Sequence, residues 1–245
     1  MAKQLGIVPL IGTLDGINFY MRKGKMVARK AGGGFNGTAI KKNASMARVR
    51  ENNTEFGHCS RVKKVFKDSL FPFLGKKRNE ELQGRLMQLF IKIKNADFVS
   101  ERGKRQIGIG LEHAEGKALL DGFCFTSFCL PTEEGIYDVA TTSYYLGGFV
   151  PMNLKFMDSA THFELQFGVV VLDLDSLEAA LFRSEVVRVG KNDGIQDLVF
   201  PVSVGDEVRG IRIGLLYYRF SQEVNGGFYG LQEQNGFGLK VVGVS

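Results

Sequence analysis

The groups from which this chain of 245 residues could build a reactive site are 3 histidines, 26 carboxylate side chains and 3 cysteines. His58, His113 and His162 stand far apart, and none lies in an H-E-x-x-H arrangement that would set two imidazoles on one helix face. Glu112, His113 and Glu115 put carboxylates beside an imidazole, and His162 and Glu164 do so on one face of a strand. Polar residues at a strand start account for both groups equally well, so neither is assigned a catalytic or metal role. Asp173, Asp175 and Glu178 outline a cation loop without the glycine and full ligand spacing of an EF-hand. Asp is also the residue expected where one strand turns into the next. No phosphate loop or nucleophile elbow is present, and Gly108-Ile109-Gly110 is only a fragment of a dinucleotide fingerprint. The expectation is a protein that is not an enzyme and carries no cofactor or metal.

Cys59, Cys124 and Cys129 are odd in number and contain no C-x-x-C pair, which argues against a disulfide framework or a thiolate zinc site. On one strand, Cys124 and Cys129 would point to opposite faces. All three read as small buried apolar side chains.

The signal that remains is charge. The net charge is +6, but residues 1–110 hold 23 Lys+Arg against 8 Asp+Glu, a net of +15, and residues 111–245 hold 9 against 18, a net of −9. Such polarity suits polyanion binding or head-to-tail contact with a second copy. The stretch RKGKMVARKAGGGFNGTAIKK (22–42) has seven cations and no acid. Arg22, Lys23, Lys25, Arg29 and Lys30 lie on or near one hairpin beside Phe19 and Tyr20. Lys41, Lys42, Arg48 and Arg50 follow, and Arg61, Lys63, Lys64 and Lys67 decorate a helix. These cations are the candidate contacts to nucleic acid or to a neighbouring subunit. Lys and Arg neutralise phosphates without reading sequence, and no helix-turn-helix, zinc finger or RRM signature is present.

The elements that must position these residues follow from periodicity. Leu14-Asp15-Gly16 and Lys23-Gly24 are turn signals around strands at 17–22 and 26–30, a β-meander. Residues 31–44 read as a loop. Asn52 and Glu55 have capping-box spacing, and Cys59, Val62, Phe66 and Leu70 then recur at helical intervals until Phe71-Pro72. A second helix begins near Asn79, with Glu80 and Glu81 in its first turn, a stripe of Leu82, Leu86, Leu89, Phe90 and Ile93, and Lys92 and Lys94 at its end. Both helices are expected to carry a basic outer face.

From about Gly108 the period becomes two. THFELQFGVVVLDLD sets Phe163, Leu165, Phe167, Val169 and Val171 on one face. GFCFTSFCL, IYDVATTSYYL, EAALFRSEVVRV, QDLVFPVSV, GIRIGLLYYRF and FGLKVVGV read as further strands, and Asn225-Gly226 as a hairpin turn. The expected fold is α+β: an N-terminal β-meander and two amphipathic helices, then an antiparallel β-sandwich of jelly-roll type. The division expected is 1–107, a basic hairpin plus helical region, and 108–245, the sandwich domain.

The segments GTLDGINFYMRKGKMVARKAGG, ASMARVRENNTEFGHCSRVKKVFKDSLFPFL, RGKRQIGIG, THFELQFG and FSQEVNGGFYGL resemble a family of proteins encoded in Bacteroidota genomes. The distinctive part is R-E-N-x-x-E-F-G, Arg50 to Gly57. The resemblance implies a bacterial or phage-related setting and transfers no catalytic or binding residue.

No apolar run approaches the roughly 20 residues of a membrane span, and MAKQLGIVPLIG is too weak for a secretory signal. The sequons at Asn36, Asn43 and Asn52 matter only in a glycosylating compartment. The expected setting is cytoplasmic at synthesis, with release in particles open. The leading expectation is a self-assembling structural subunit of a virus-like capsid, shell or filament, a large homo-oligomer whose basic N-terminal region contacts other copies and DNA or RNA. The alternatives are a sequence-nonspecific nucleic-acid-binding protein, and a carbohydrate-binding sandwich in which Tyr144, Tyr145, Tyr217 or Tyr218 faces a sugar.

Overall fold

Turn chemistry organises the start of the chain. Asp15 and Gly16 (φ 47° and 72°) and Lys23 and Gly24 (φ 49° and 71°) adopt the left-handed conformation that two-residue hairpin turns require. The computed structural model describes residues 2–3, 10–32, 37–75, 79–130, 135–205, 207–231 and 236–245; Gly33, Gly34 and Asn36 of the glycine-rich stretch lie outside them. In it, β1 (Ala2–Lys3), β2 (Gly12–Leu14), β3 (Ile17–Arg22) and β4 (Lys25–Lys30) form an antiparallel sheet in the order β1-β4-β3-β2. Residues 31–44, expected to be loop, contain a helix, α1 (Gly37–Lys42). Arg50 stabilises it: its guanidinium donates to the carbonyl of Ile40 near the helix end at 2.7 Å, and to that of Asn43 at 2.9 Å, which also accepts the Met46 N–H.

The following helix, α2 (Ala47–Ser69), starts five residues before Asn52, so the Asn52/Glu55 capping box is not its beginning. Glu55 is buried, and its carboxylate is used elsewhere. The chain divides into two compact units, residues 1–54 and 55–245.

In the second unit Pro72 falls in the first turn of a short helix, α3 (Phe71–Leu74), where its missing N–H costs nothing. Helix α4 (Glu80–Asn95) is capped by Asn79, whose Oδ1 accepts from the Leu82 N–H at 3.0 Å. The stripes expected on α2 and α4 are buried throughout.

Residues 107–120 were expected to open the strand region. They form two helices instead, α5 (Ile107–Glu112) and α6 (Ala114–Leu120). Two glycines permit this close packing: a Cβ on Gly110 would strike the Ile93 carbonyl of α4, and one on Gly116 the Gly110 carbonyl.

Residues 122–130 are likewise not a strand. They bend, touch the sheet through one bridge from Cys124 to Lys240, and carry a Cys124–Cys129 disulfide with Cα atoms 6.0 Å apart. The expectation of reduced cysteines on opposite strand faces fails because the chain turns between them. Cys59 is a core thiol, pushed up to about 11 by burial.

The remaining strands are β5 (Gly135–Asp138), β6 (Ser143–Phe149), β7 (His162–Asp173), β8 (Glu178–Arg183), β9 (Val187–Gly190), β10 (Gln196–Pro201), β11 (Ile211–Val224), β12 (Gly227–Gly230) and β13 (Phe237–Val244). Asn225 and Gly226 make the β11–β12 turn with φ of 52° and 78°. One antiparallel sheet runs β10-β6-β5; the other runs β12-β11-β7-β8, with β13 beside β11 and β9 beside β7.

Side-chain alternation sorts the core into two layers. Phe163, Leu165, Phe167, Val169 and Val171 pack with Tyr144, Leu198 and Phe200 of the smaller sheet, which is the sandwich. Val170, Leu172, Ile213 and Leu215, on the opposite face, pack against Phe66, Leu86, Phe90 and Ile93 of the helices. The unit is therefore helix on sheet on sheet. The run GVVVL reads as continuously apolar because both of its faces are covered.

Candidate functional site

Four of the carboxylates and imidazoles singled out in the sequence, Glu164, His162, Asp173 and His58, have structural partners, whereas His113 Nε2 is buried with no hydrogen-bond partner among the described residues. Glu164 is buried between two guanidiniums, with Arg188 Nε at 3.1 Å and Arg219 Nε at 2.6 Å. Burial would raise its pKa, but the bonds to Arg219 and Arg188 win and hold it below the usual carboxylate range. His162 Nδ1 lies 2.9 Å from Thr161 Oγ1, not against Glu164. Asp173 closes the β7–β8 turn by accepting from the N–H groups of Asp175 (2.8 Å) and Ser176 (3.2 Å). His58 accepts the Ile107 N–H at 3.2 Å; burial, then the charge of Arg61, lowers its pKa. Among the described residues no cluster of three or more His, Cys, Asp or Glu is placed to hold a metal.

Glu55 shows what the distinctive R-E-N-x-x-E-F-G segment does in this chain. Its carboxylate pairs with Lys94 of α4 and accepts the Gly103 N–H at 2.7 Å. Burial opposes ionisation, but Lys94 and Gly103 outweigh it and hold the pKa low. Lys94 was expected on a basic outer face; it is buried in this pair. Asp97 completes the clasp by accepting from the N–H groups of Val99, Ser100 and Gln106 at 2.8–3.1 Å, which shapes the loop 97–106. Sequence reasoning missed this clasp, since only the fold brings Glu55, Lys94 and Gly103 together.

Two arrangements remain that could act on a partner, one in each unit. In the first unit the registers Leu14↔Ile17, Ile17↔Lys30, Phe19↔Ala28 and Met21↔Met26 gather Leu14, Ile17, Phe19, Met21, Met26 and Ala28 on one face of the sheet, with Lys30 at its edge. Leu14 is 61% exposed, Ile17 42% and Met21 60%. The opposite face carries Asn18, Tyr20, Arg22, Lys25 and Arg29, with the Arg29 guanidinium 5.5 Å from the Tyr20 ring centre. Lys23 sits in the turn and Lys30 at the end of β4; Lys41 and Lys42 end α1, and Arg48 is exposed on α2. Arg50 is committed to the carbonyls described above.

In the second unit, a groove of about 510 Å3 runs along the outer side of α2. Burial of Cys59, Val62 and Phe66 fixes the helix's rotation, and Arg61, Lys63, Lys64 and Lys67 then line this groove with Phe56 and Gly57. Asp68 is its one acid, and Gln83 of α4 closes a side. None of the four cations makes an ion pair among the described residues.

The tyrosines divide. Tyr144 and Tyr218 are wholly buried, so the sugar-facing role weighed for them fails: alternation turns both into the sandwich core. The Tyr218 hydroxyl accepts the Leu130 N–H at 2.6 Å. Tyr217 packs against Phe73, with rings stacked at 5.1 Å. Tyr145 is exposed.

Among the described residues, no helix is long and apolar enough to cross a membrane. No protein-family model, curated protein or solved structure matches the chain.

Proposed function

We propose that this protein is a non-enzymatic, self-assembling structural subunit of a capsid, shell or filament, whose N-terminal sheet docks on another copy. The observation that carries this reading is the sheet of β2, β3 and β4, which gathers an apolar face and leaves it open to water. None of the described residues in 10–54 is buried. An apolar sheet face is stabilised only when another layer covers it. A second copy is the occupant that charge favours. Residues 1–54 hold 10 Lys+Arg against 2 Asp+Glu, whereas residues 111–245 carry a net charge of −9. Such polarity steers identical chains together. The cations on the opposite face of the same sheet add polyanion contacts to this reading.

Light scattering coupled to size-exclusion chromatography at moderate salt tests it. A large, defined particle is expected, and a clean monomer at every accessible concentration overturns the proposal. Ile17→Asp with Met21→Asp should dissolve the particle while the second unit keeps its thermal transition.

A further inference from the structure

We infer that the α2 groove holds the phosphodiester backbone of single-stranded nucleic acid, with a base stacked on Phe56. This rests on the polyanion part of the proposed function and not on assembly.

The first argument is electrostatic. Arg61 and Lys64, Lys64 and Lys67, and Lys63 and Lys67 are spaced three or four apart on one helix, where like charges repel. Asp68 is the groove's only acidic side chain. An unneutralised cluster is destabilising by itself and becomes favourable when phosphates replace its counterions.

The second argument is shape. The cations line a shallow groove on α2 that Gln83 of α4 closes on one side, and Gly57 leaves part of its wall without a side chain. Gln83 adds an amide that can meet a phosphate or a base edge.

The third argument selects the single strand. Phe56 lines the groove and is 54% exposed, an aromatic face beside four cations. Bases stack on such a platform only when they are unpaired, and cationic grooves with aromatic platforms bind strands without reading sequence. A duplex would offer phosphates to the cations and nothing to Phe56.

The test is fluorescence anisotropy on the full chain, freed of co-purified nucleic acid. Labelled oligothymidylate and oligouridylate of about 12 nucleotides, within the span such sites take, serve as probes, and a duplex of equal length as competitor. Log affinity should fall linearly with log salt. Lys63→Gln with Lys67→Gln should make that slope shallower by about 1.4, from about 0.7 per phosphate contact. Phe56→Ala should weaken binding about tenfold and leave the slope unchanged. The duplex should compete poorly.

Unchanged binding in both variants overturns the inference. So does a duplex that competes as well as the single strand. If Lys63→Gln with Lys67→Gln alters particle size in light scattering but not oligonucleotide affinity, the groove is an inter-subunit contact and the inference also falls. A monomeric chain that still binds oligonucleotide, and loses that binding in both variants, removes the assembly proposal and leaves this inference standing.

Discussion

The two sheets at the ends of this chain share a pattern and differ in their surroundings. In the first unit, Ile17, Phe19 and Met21 alternate with Asn18, Tyr20 and Arg22; Ile17 and Met21 on the apolar face they make are exposed, and Phe19 is half-buried. In the second, Phe163, Leu165, Phe167, Val169 and Val171 alternate along β7 and are covered by the smaller sheet, while Val170 and Leu172 on the other side are covered by helices. Alternation tells which side chains share a face; it does not say what lies against that face. The second unit supplies both of its covering layers from its own chain. The first supplies neither, and this contrast is what points it toward a partner.

The largest effect that could break the contrast is a core truncation. Phe66→Ala should cost about 4 kcal/mol in chemical denaturation, because Phe66 is wholly buried among α4 and sheet side chains. Met21→Ala, at a position 60% exposed on the apolar face, should cost less than about 1 kcal/mol in dilute protein, in line with other exposed positions. Equal losses would mean that the first unit has a core of its own.

Next comes the clasp. Glu55→Gln leaves the buried Lys94 ammonium without its counterion and should cost about 3 kcal/mol, since breaking a buried pair strands a charge. A loss no greater than that of an exposed ion pair such as Lys104–Glu101 would refute the reading of Glu55 as buried structure.

Acid should act through the second unit in the same way. Glu55, Glu164 and Asp97 all have folded-state pKa values held below their ordinary values of 4.5, 4.5 and 3.8. Burial opposes this in each, but Lys94 with the Gly103 N–H, the two arginines, and the N–H groups of loop 97–106 respectively outweigh it. The stability they contribute is complete above the ordinary values and is lost as pH falls through the lowered ones. Denaturation midpoints measured from pH 6 downward, a range set by that linkage, should hold until about pH 4.5 and then decline. A rise in stability over that interval would contradict the sign.

The smallest effect expected is at a helix end. Asn79→Ala removes the acceptor for the Leu82 N–H and should lower stability by about 1 kcal/mol, read in the same denaturation curves.

Local patterns were legible where one short-range rule governed. The hairpin turns at Asp15-Gly16, Lys23-Gly24 and Asn225-Gly226, the Asn79 cap, the stripes of α2 and α4 and the inward face of β7 follow from turn chemistry and periodicity. Misreadings came where a distant partner overruled the local signal. Asn52 and Glu55 match a capping box, but Glu55 is needed by Lys94 and Gly103, 39 and 48 residues away. Residues 107–120 contain three glycines and resemble turn-rich strand territory, yet two of those glycines are what let α5 and α6 pack closely. Cys124 and Cys129 were placed on a strand because FCFTSFC alternates; the chain instead bends there and joins them.

Of the candidate cations, all thirteen were visible as charges. The grooved setting of Arg61, Lys63, Lys64 and Lys67 was not, because the groove depends on how α2 and α4 lie together. Charge polarity, the alternating faces and the turn positions belong to the sequence, since each is set by residue identity within a few positions. The helical layer on the sandwich, the Glu55–Lys94 clasp and the uncovered face of the first sheet belong to the tertiary structure. They depend on which surfaces meet, and that is decided by burial summed over segments far apart in the chain.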